Sequence, residues 1–119
     1  MATITVSVDA ANHVFTTDSA VSQDATRYLY QNSTIMVPRN LLLKRVYPKR
    51  TKTYVGNARN ELRLSFIDDE TKQALSIFRL EVSRQADFDE TTYALQRKLM
   101  GQLILDAELD NFFDVLSLP

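Results

Sequence analysis

Cysteine is absent from all 119 residues, which excludes disulfide staples, thiolate metal sites and thiol catalysis. Tryptophan is missing too, and His13 is the only histidine. Two glycines and three prolines leave few chain reversals and no flexible linker. The longest apolar run is three to four residues, far below the roughly 18 needed to span a bilayer. The opening Met1-Ala2-Thr3-Ile4 has neither a charged n-region nor an apolar h-region, so a cytosolic product without an export signal is expected. No glycine loop suited to phosphate, no Ser/His/Asp set and no metal-spaced ligand cluster is present. An enzyme, a cofactor and a bound metal are therefore not expected.

What is present fits one globular domain. The mass is 13.6 kDa, with 45% hydrophobic and 24% charged residues, a balance far from that of disordered chains. The net charge of −1 hides a segregation. Between Arg39 and Arg63 lie eight bases (Arg39, Lys44, Arg45, Lys49, Arg50, Lys52, Arg59, Arg63) and one acid, Glu61, so this segment carries +7 and the remainder −8. Such a chain presents a localised positive surface. It suits a polyanion-binding face, or a solvated hairpin whose bases discourage edge pairing.

Hydrophobic periodicity predicts the order of elements. Thr3–Val8 alternates, with Ile4, Val6 and Val8 on one side, as a half-buried strand does. Asp9-Ala10-Ala11-Asn12 is turn chemistry, and His13–Thr16 returns to close an N-terminal hairpin over 1–16. Thr17–Asp24 reads as a polar loop, Thr26–Tyr30 as a short strand and Gln31-Asn32-Ser33 as a turn. Leu41–Tyr54 favours strand but is interrupted at Pro48, which marks an edge, a bulge or the strand's end. Val55-Gly56-Asn57-Ala58 is the tightest turn signal. Then Leu62, Leu64 and Phe66 alternate with Arg59, Glu61, Arg63 and Ser65, and Phe78, Leu80 and Val82 with Ile77, Arg79, Glu81 and Ser83. A reversal at Asp68–Thr71 separates these two strands. Residues 25–84 thus form an antiparallel meander with one apolar face and one charged face.

From Asp87 the period becomes helical. Asp87 followed by Glu90 resembles a capping box, and Leu95, Leu99 and Leu103 recur four apart with Tyr93, Met100 and Ile104. Gly101 predicts a kink or a close backbone contact. A second helix is expected over Asp106–Leu116, with Leu109, Phe112, Phe113 and Leu116 as its stripe. Strands followed by helices, here over 87–117, make an α+β layer. A wide sheet with a short helical cover in a small chain favours sharing between two chains. Leu99, Leu103, Leu109, Phe112 and Phe113 are the expected dimer interface.

His13 stands beside Val14 and Phe15, where a packed strand residue is a better reading than a general base or ligand. Asp68-Asp69-Glu70 lacks calcium-loop spacing and reads as a solvated turn. The charged face carries more chemistry. Alternate residues of one strand face the same way at about 7 Å intervals, which aligns Arg59, Glu61 and Arg63. Before them Lys44, Arg45, Tyr47, Lys49, Arg50, Lys52 and Tyr54 supply bases and rings, with their register left open by Pro48. Guanidiniums for phosphate and rings for splayed bases suit RNA.

A hairpin, a meander with a basic face and two C-terminal helices, in this order, resembles the coat proteins of the small single-stranded RNA bacteriophages, the leviviruses. The most telling stretch is Asn57-Ala58-Arg59-Asn60-Glu61-Leu62-Arg63-Leu64-Ser65-Phe66, which is similar to the family's RNA-facing strand. The start of the Asp87–Leu105 helix and the end Leu103-Ile104-Leu105-Asp106-Ala107 also resemble the family. The resemblance implies a dimer with one continuous sheet, each chain's helices clasping its partner. Many such dimers would close an icosahedral shell around the single-stranded genome, in the virion and, before assembly, the host cytoplasm. It further implies binding of an RNA hairpin that serves as packaging signal and translational operator, with no membrane partner. Asn57, Arg59, Glu61 and Arg63 match RNA-facing positions, as do Ser65 and Arg79, while Arg45, Tyr47, Lys49, Arg50, Lys52 and Tyr54 complete the expected site. Glu61 departs from the family, whose usual occupant is a small hydroxyl residue. A carboxylate there repels phosphate unless Arg59 or Arg63 pairs with it. A stand-alone RNA-binding repressor dimer would need the same face without a shell. A small phage interaction module would show no salt-dependent RNA binding.

Overall fold

The computed structural model of the chain describes residues 3–68 and 75–118. It divides into two compact units, Met1–Ala86 and Asp87–Pro119. The first is a six-stranded antiparallel meander: β1 (Thr3–Val8), β2 (Ala11–Ser22), β3 (Ala25–Tyr30), β4 (Arg39–Val46), β5 (Asn57–Ile67) and β6 (Leu75–Gln85). Each strand pairs with its neighbours in sequence, so β1 and β6 are the edges. The second unit holds α1 (Glu90–Leu105), a 3₁₀ turn (Ala107–Leu109) and α2 (Asp110–Val115). The expected α+β meander with two C-terminal helices is what the chain forms.

The hairpin of β1 and β2 closes through two residues, Asp9 and Ala10, at φ 51° and 64°. Paired left-handed residues match the twist of the flanking strands. The segment expected to be a loop, Thr17–Asp24, instead continues β2 as far as Ser22. Its register shifts between Thr17 and Ser19 and again between Ala20 and Ser22. These irregularities displace side chains from strict alternation, which conceals the strand from a period-2 reading. β4 begins just after Pro38 and stops at Val46, so the stretch read as strand to Tyr54 ends before Pro48. Gly56 takes φ +86° as the turn signal requires, but Asn57 and Ala58 already belong to β5. Of the reversal expected at Asp68–Thr71, all beyond Asp68 lies outside the described residues.

Register places the core on one face. Ile4 stands opposite Phe15, Phe15 opposite Tyr30, and Tyr28, Leu41 and Leu64 form one row across β3, β4 and β5. Phe15, Tyr30 and Leu41 are buried, with Ile4, Tyr28, Leu43, Leu64 and Phe66 packed against them. The Tyr30 ring lies 5.3 Å from both Phe15 and Phe66, and such pairs contribute about 0.5–1.5 kcal/mol each beyond burial. His13 is half-buried, stacks on Tyr30, and its Nδ1 lies 2.6 Å from the Tyr30 hydroxyl. It is thus a packed strand residue. Among the described residues no group of three His, Cys, Asp or Glu side chains stands where it could hold a metal ion.

In the helical unit the N-cap is Asp89 rather than Asp87. Its carboxylate accepts from the Thr92 amide at 2.9 Å and the Thr92 hydroxyl at 2.8 Å. These bonds, the hydroxyl's foremost, hold the Asp89 carboxyl below its usual range. Gly101 makes no close contact: a Cβ added there meets nothing within 4 Å. The expected second helix breaks into the 3₁₀ turn and α2, with Asp106 accepting from the Glu108 amide at 2.8 Å and Leu116 ending α2 at φ 59°. No residue of α1 or α2 is buried, and among the described residues no helix is long and apolar enough to cross a membrane.

Candidate nucleic-acid interface

Because β5 pairs in register with both β4 and β6, its outward side chains define ranks across three strands. Lys44, Glu61 and Glu81 form one rank and Leu42, Arg63 and Arg79 the next. Asn40, Ser65 and Ile77 lie beyond Arg63, while Val46, Arg59 and Ser83 lie beyond Glu61. All of these point away from the Tyr30 core by the two-residue alternation. β3 adds Arg27, opposite Leu42. The face therefore carries five bases (Arg27, Lys44, Arg59, Arg63, Arg79) against Glu61 and Glu81.

Glu61 is the hub of this face. Arg63 Nη2 donates to its Oε1 at 2.9 Å, Arg79 Nε lies 3.2 Å from the same oxygen, and Lys44 Nζ is 3.9 Å from Oε2. The Arg63 hydrogen bond, with the charges of Arg63, Lys44 and Arg79, holds the Glu61 carboxyl below its ordinary range against the opposing pull of desolvation. The Glu61 carboxylate is thus paired with Arg63, and with Lys44 and Arg79 besides. With Lys44, Arg63 and Arg79 against Glu61 and the facing Glu81, the cluster keeps a net positive charge. The Nε of Arg63 is buried without a hydrogen-bond partner among the described residues.

The expected site residues separate into three groups. Asn57, Arg59, Glu61, Arg63, Ser65 and Arg79 share the outward face. Arg45 stands opposite Asn60, one step out of phase, and so lies on the other side of the sheet. There its Nε pairs with Asp24 Oδ1 at 3.3 Å, its amide donates to the Asp24 carbonyl, and its guanidinium sits 4.9 Å from the Tyr47 ring. Tyr47, Lys49, Arg50, Lys52 and Tyr54 lie in the β4–β5 connection, and all five are exposed. That connection turns back on itself, with the Thr51 amide donating to the Tyr54 carbonyl at 2.8 Å. Its backbone at Lys49 passes so near Gly56 that an added Cβ would stand 2.7 Å from it. Lys44, one of the bases preceding Arg59, and Arg27, which the expected site does not include, both face outward with Arg63. The outward facing of Lys44 follows from its pairing with Glu61 across β4 and β5, which no count along the sequence supplies. For Arg27 the sequence offers no signal beyond alternation in β3.

The expected dimer interface is exposed along the second unit: Leu99 is 54%, Leu103 49%, Phe112 40% and Phe113 44% accessible, and Leu109 is half-buried.

No protein-family model matches the chain, and no curated protein matches it in sequence. Its structure, however, is similar to several solved particles. A virus-like particle of bacteriophage GQ-907 matches with a TM-score of 0.78 at 18% identity, over 100% of this chain and 91% of that one. A virus-like particle of Beihai levi-like virus 32 matches with a TM-score of 0.78 at 14% identity, over 88% and 87%. A virus-like particle of Wenzhou levi-like virus 4 matches with a TM-score of 0.72 at 23% identity, over 88% and 77%. This chain shares the fold of the proteins in those three virus-like particles.

Proposed function

We propose that the chain is a levivirus-type coat protein: a structural rather than a catalytic protein that dimerises, closes into an icosahedral shell and binds single-stranded genomic RNA on the outward face of its sheet. The carrying observation is near-complete structural overlap with polypeptides of virus-like particles, up to 100% of this chain at a TM-score of 0.78. Two features of the chain agree with it. Edge strand β6 has eleven residues and no neighbour beyond it among the described residues. A second copy pairing there would extend the sheet and remove an edge of the kind that otherwise invites uncontrolled pairing. Large apolar side chains along α1 and α2 are exposed, as expected of surfaces covered on assembly.

The RNA reading rests on the five bases around Glu61. A hairpin presenting phosphates and unpaired loop bases offers such a face both charge and hydrogen bonding. Binding of this kind would serve genome packaging and, on a hairpin in the message, translational repression. The exposed β4–β5 connection, with Lys49, Arg50, Lys52, Tyr47 and Tyr54, is a second place for phosphate contact and stacking. Expression of the chain alone, followed by size-exclusion chromatography and electron microscopy, tests the proposal. Closed particles containing nuclease-protected RNA are expected. Discrete dimers with bound RNA would instead identify a stand-alone repressor, and RNA-free small species would refute both.

A further inference from the structure

Glu61 and Glu81 stand directly opposite one another on β5 and β6, where like charges ordinarily cost stability. Their presence on a face meant for phosphate needs a reason. Holding the arginines in place does not require the charge, since a neutral glutamine at 61 would still accept from Arg63 and Arg79. The negative charge also weakens attraction to every RNA alike. What a carboxylate adds among Lys44, Arg63 and Arg79, which can only donate, is an anionic acceptor.

The geometry leaves that acceptor half-used. Oε1 of Glu61 takes both arginine contacts, at 2.9 and 3.2 Å. Among the described residues Oε2 faces the Lys44 ammonium alone, at 3.9 Å, too far for a hydrogen bond. One oxygen is anchored and the other keeps its lone pairs. We propose that Glu61 is a specificity-determining residue whose Oε2 accepts a hydrogen bond from the exocyclic amino group of an unpaired RNA base, so that the face favours guanine, cytosine or adenine over uracil. Uracil offers a single N–H between two carbonyl oxygens, and those oxygens repel a carboxylate. Carboxylates accept from cytosine amino groups in duplex recognition by the same chemistry. Lys44, Arg63 and Arg79 hold the surrounding phosphates, so the carboxylate need not.

This inference rests on the reading of the sheet face as an RNA surface, and its test separates the two. Hairpin RNAs sharing one stem, with loops of uracil alone or with one guanine, cytosine or adenine, are titrated at low salt against the wild-type protein and Glu61→Gln. The wild type is expected to bind the amino-bearing loops about tenfold more tightly, the effect of one charge-assisted hydrogen bond. Glu61→Gln is expected to bind the all-uracil hairpin more tightly than the wild type does, and to lose most of the preference. Equal wild-type affinity for all loops overturns the inference even if the variant fails to fold. Full retention of the preference in a folded Glu61→Gln overturns it as well. A wild-type protein that binds none of the hairpins overturns the RNA face itself, and the inference with it.

Discussion

Arg59→Ala isolates the electrostatic part of the proposed face. Arg59 is exposed, stands between Val46 and Ser83 in register, and lies outside the ion-pair cluster of Glu61. Its removal therefore deletes one positive charge without freeing a carboxylate. If the five outward bases each neutralise a phosphate, log affinity falls with log salt at a slope of about −3.5, using about −0.7 per contact for single strands. A fourfold rise in salt then weakens wild-type binding roughly a hundredfold. With four contacts the slope becomes about −2.8 and the loss about fiftyfold. Stability should change by no more than about 0.5 kcal/mol, as for other surface positions free of special contacts. Fluorescence anisotropy with a labelled hairpin over a salt series gives the slope, and urea denaturation gives the stability. Arg45→Ala is the control: its side chain lies on the opposite face, so the slope should match the wild type. An unchanged slope in Arg59→Ala, or a reduced one in Arg45→Ala, would refute the assignment of faces.

The other predictions concern stability and assembly. Since the folded state lowers the Glu61 pKa, its contribution is fully present above the unfolded carboxylate value of about 4.3 and is lost as pH falls through the lower folded value. Urea midpoints measured from neutral pH into this acid range should therefore fall less steeply for Glu61→Gln than for the wild type. Gly56→Ala forces a side chain into φ +86° and against the Lys49 backbone. A loss on the order of 1–3 kcal/mol is expected, and an unchanged urea midpoint would contradict it. Leu41→Ala, at a position only 6% exposed in the core, should cost about 2–5 kcal/mol by the same measurement. Phe113→Asp places charge on the exposed apolar stretch of α2 and should abolish particles in electron micrographs while the sheet's circular dichroism persists.

The sheet was legible wherever one side chain per two faced the core. β5 and β6 follow from Leu62, Leu64, Phe66, Phe78 and Leu80, and their face assignments agree with the pairing register. β2 was legible only to Thr16, because its second half is polar and twice irregular. The β4 side of the site was harder, since Leu41, Leu42 and Leu43 are consecutive and give no parity. The facing of Lys44 and Arg45 follows only once pairing with β5 is known. At the first helix, two aspartates two positions apart both precede a helical pattern. The choice fell to Asp89 because Thr92, three positions later, supplies both an amide and a hydroxyl. Glu61 stands out along the strand as the one acid among bases, but its ties to Lys44 and Arg79 cross strands and cannot be read along one.

The unbroken order of the meander bears on how quickly this sheet assembles. Every pairing joins neighbours along the chain, so no strand must wait for a distant one, the arrangement that favours fast folding among antiparallel sheets. Closing the ten-residue connection 47–56 costs only about 1.4 kcal/mol more than closing a two-residue turn, by the logarithmic growth of loop entropy. Each hairpin can zip as soon as its second strand leaves the ribosome, at about 5–20 residues per second. Synthesis itself, rather than a search among topologies, would then set the pace of sheet formation.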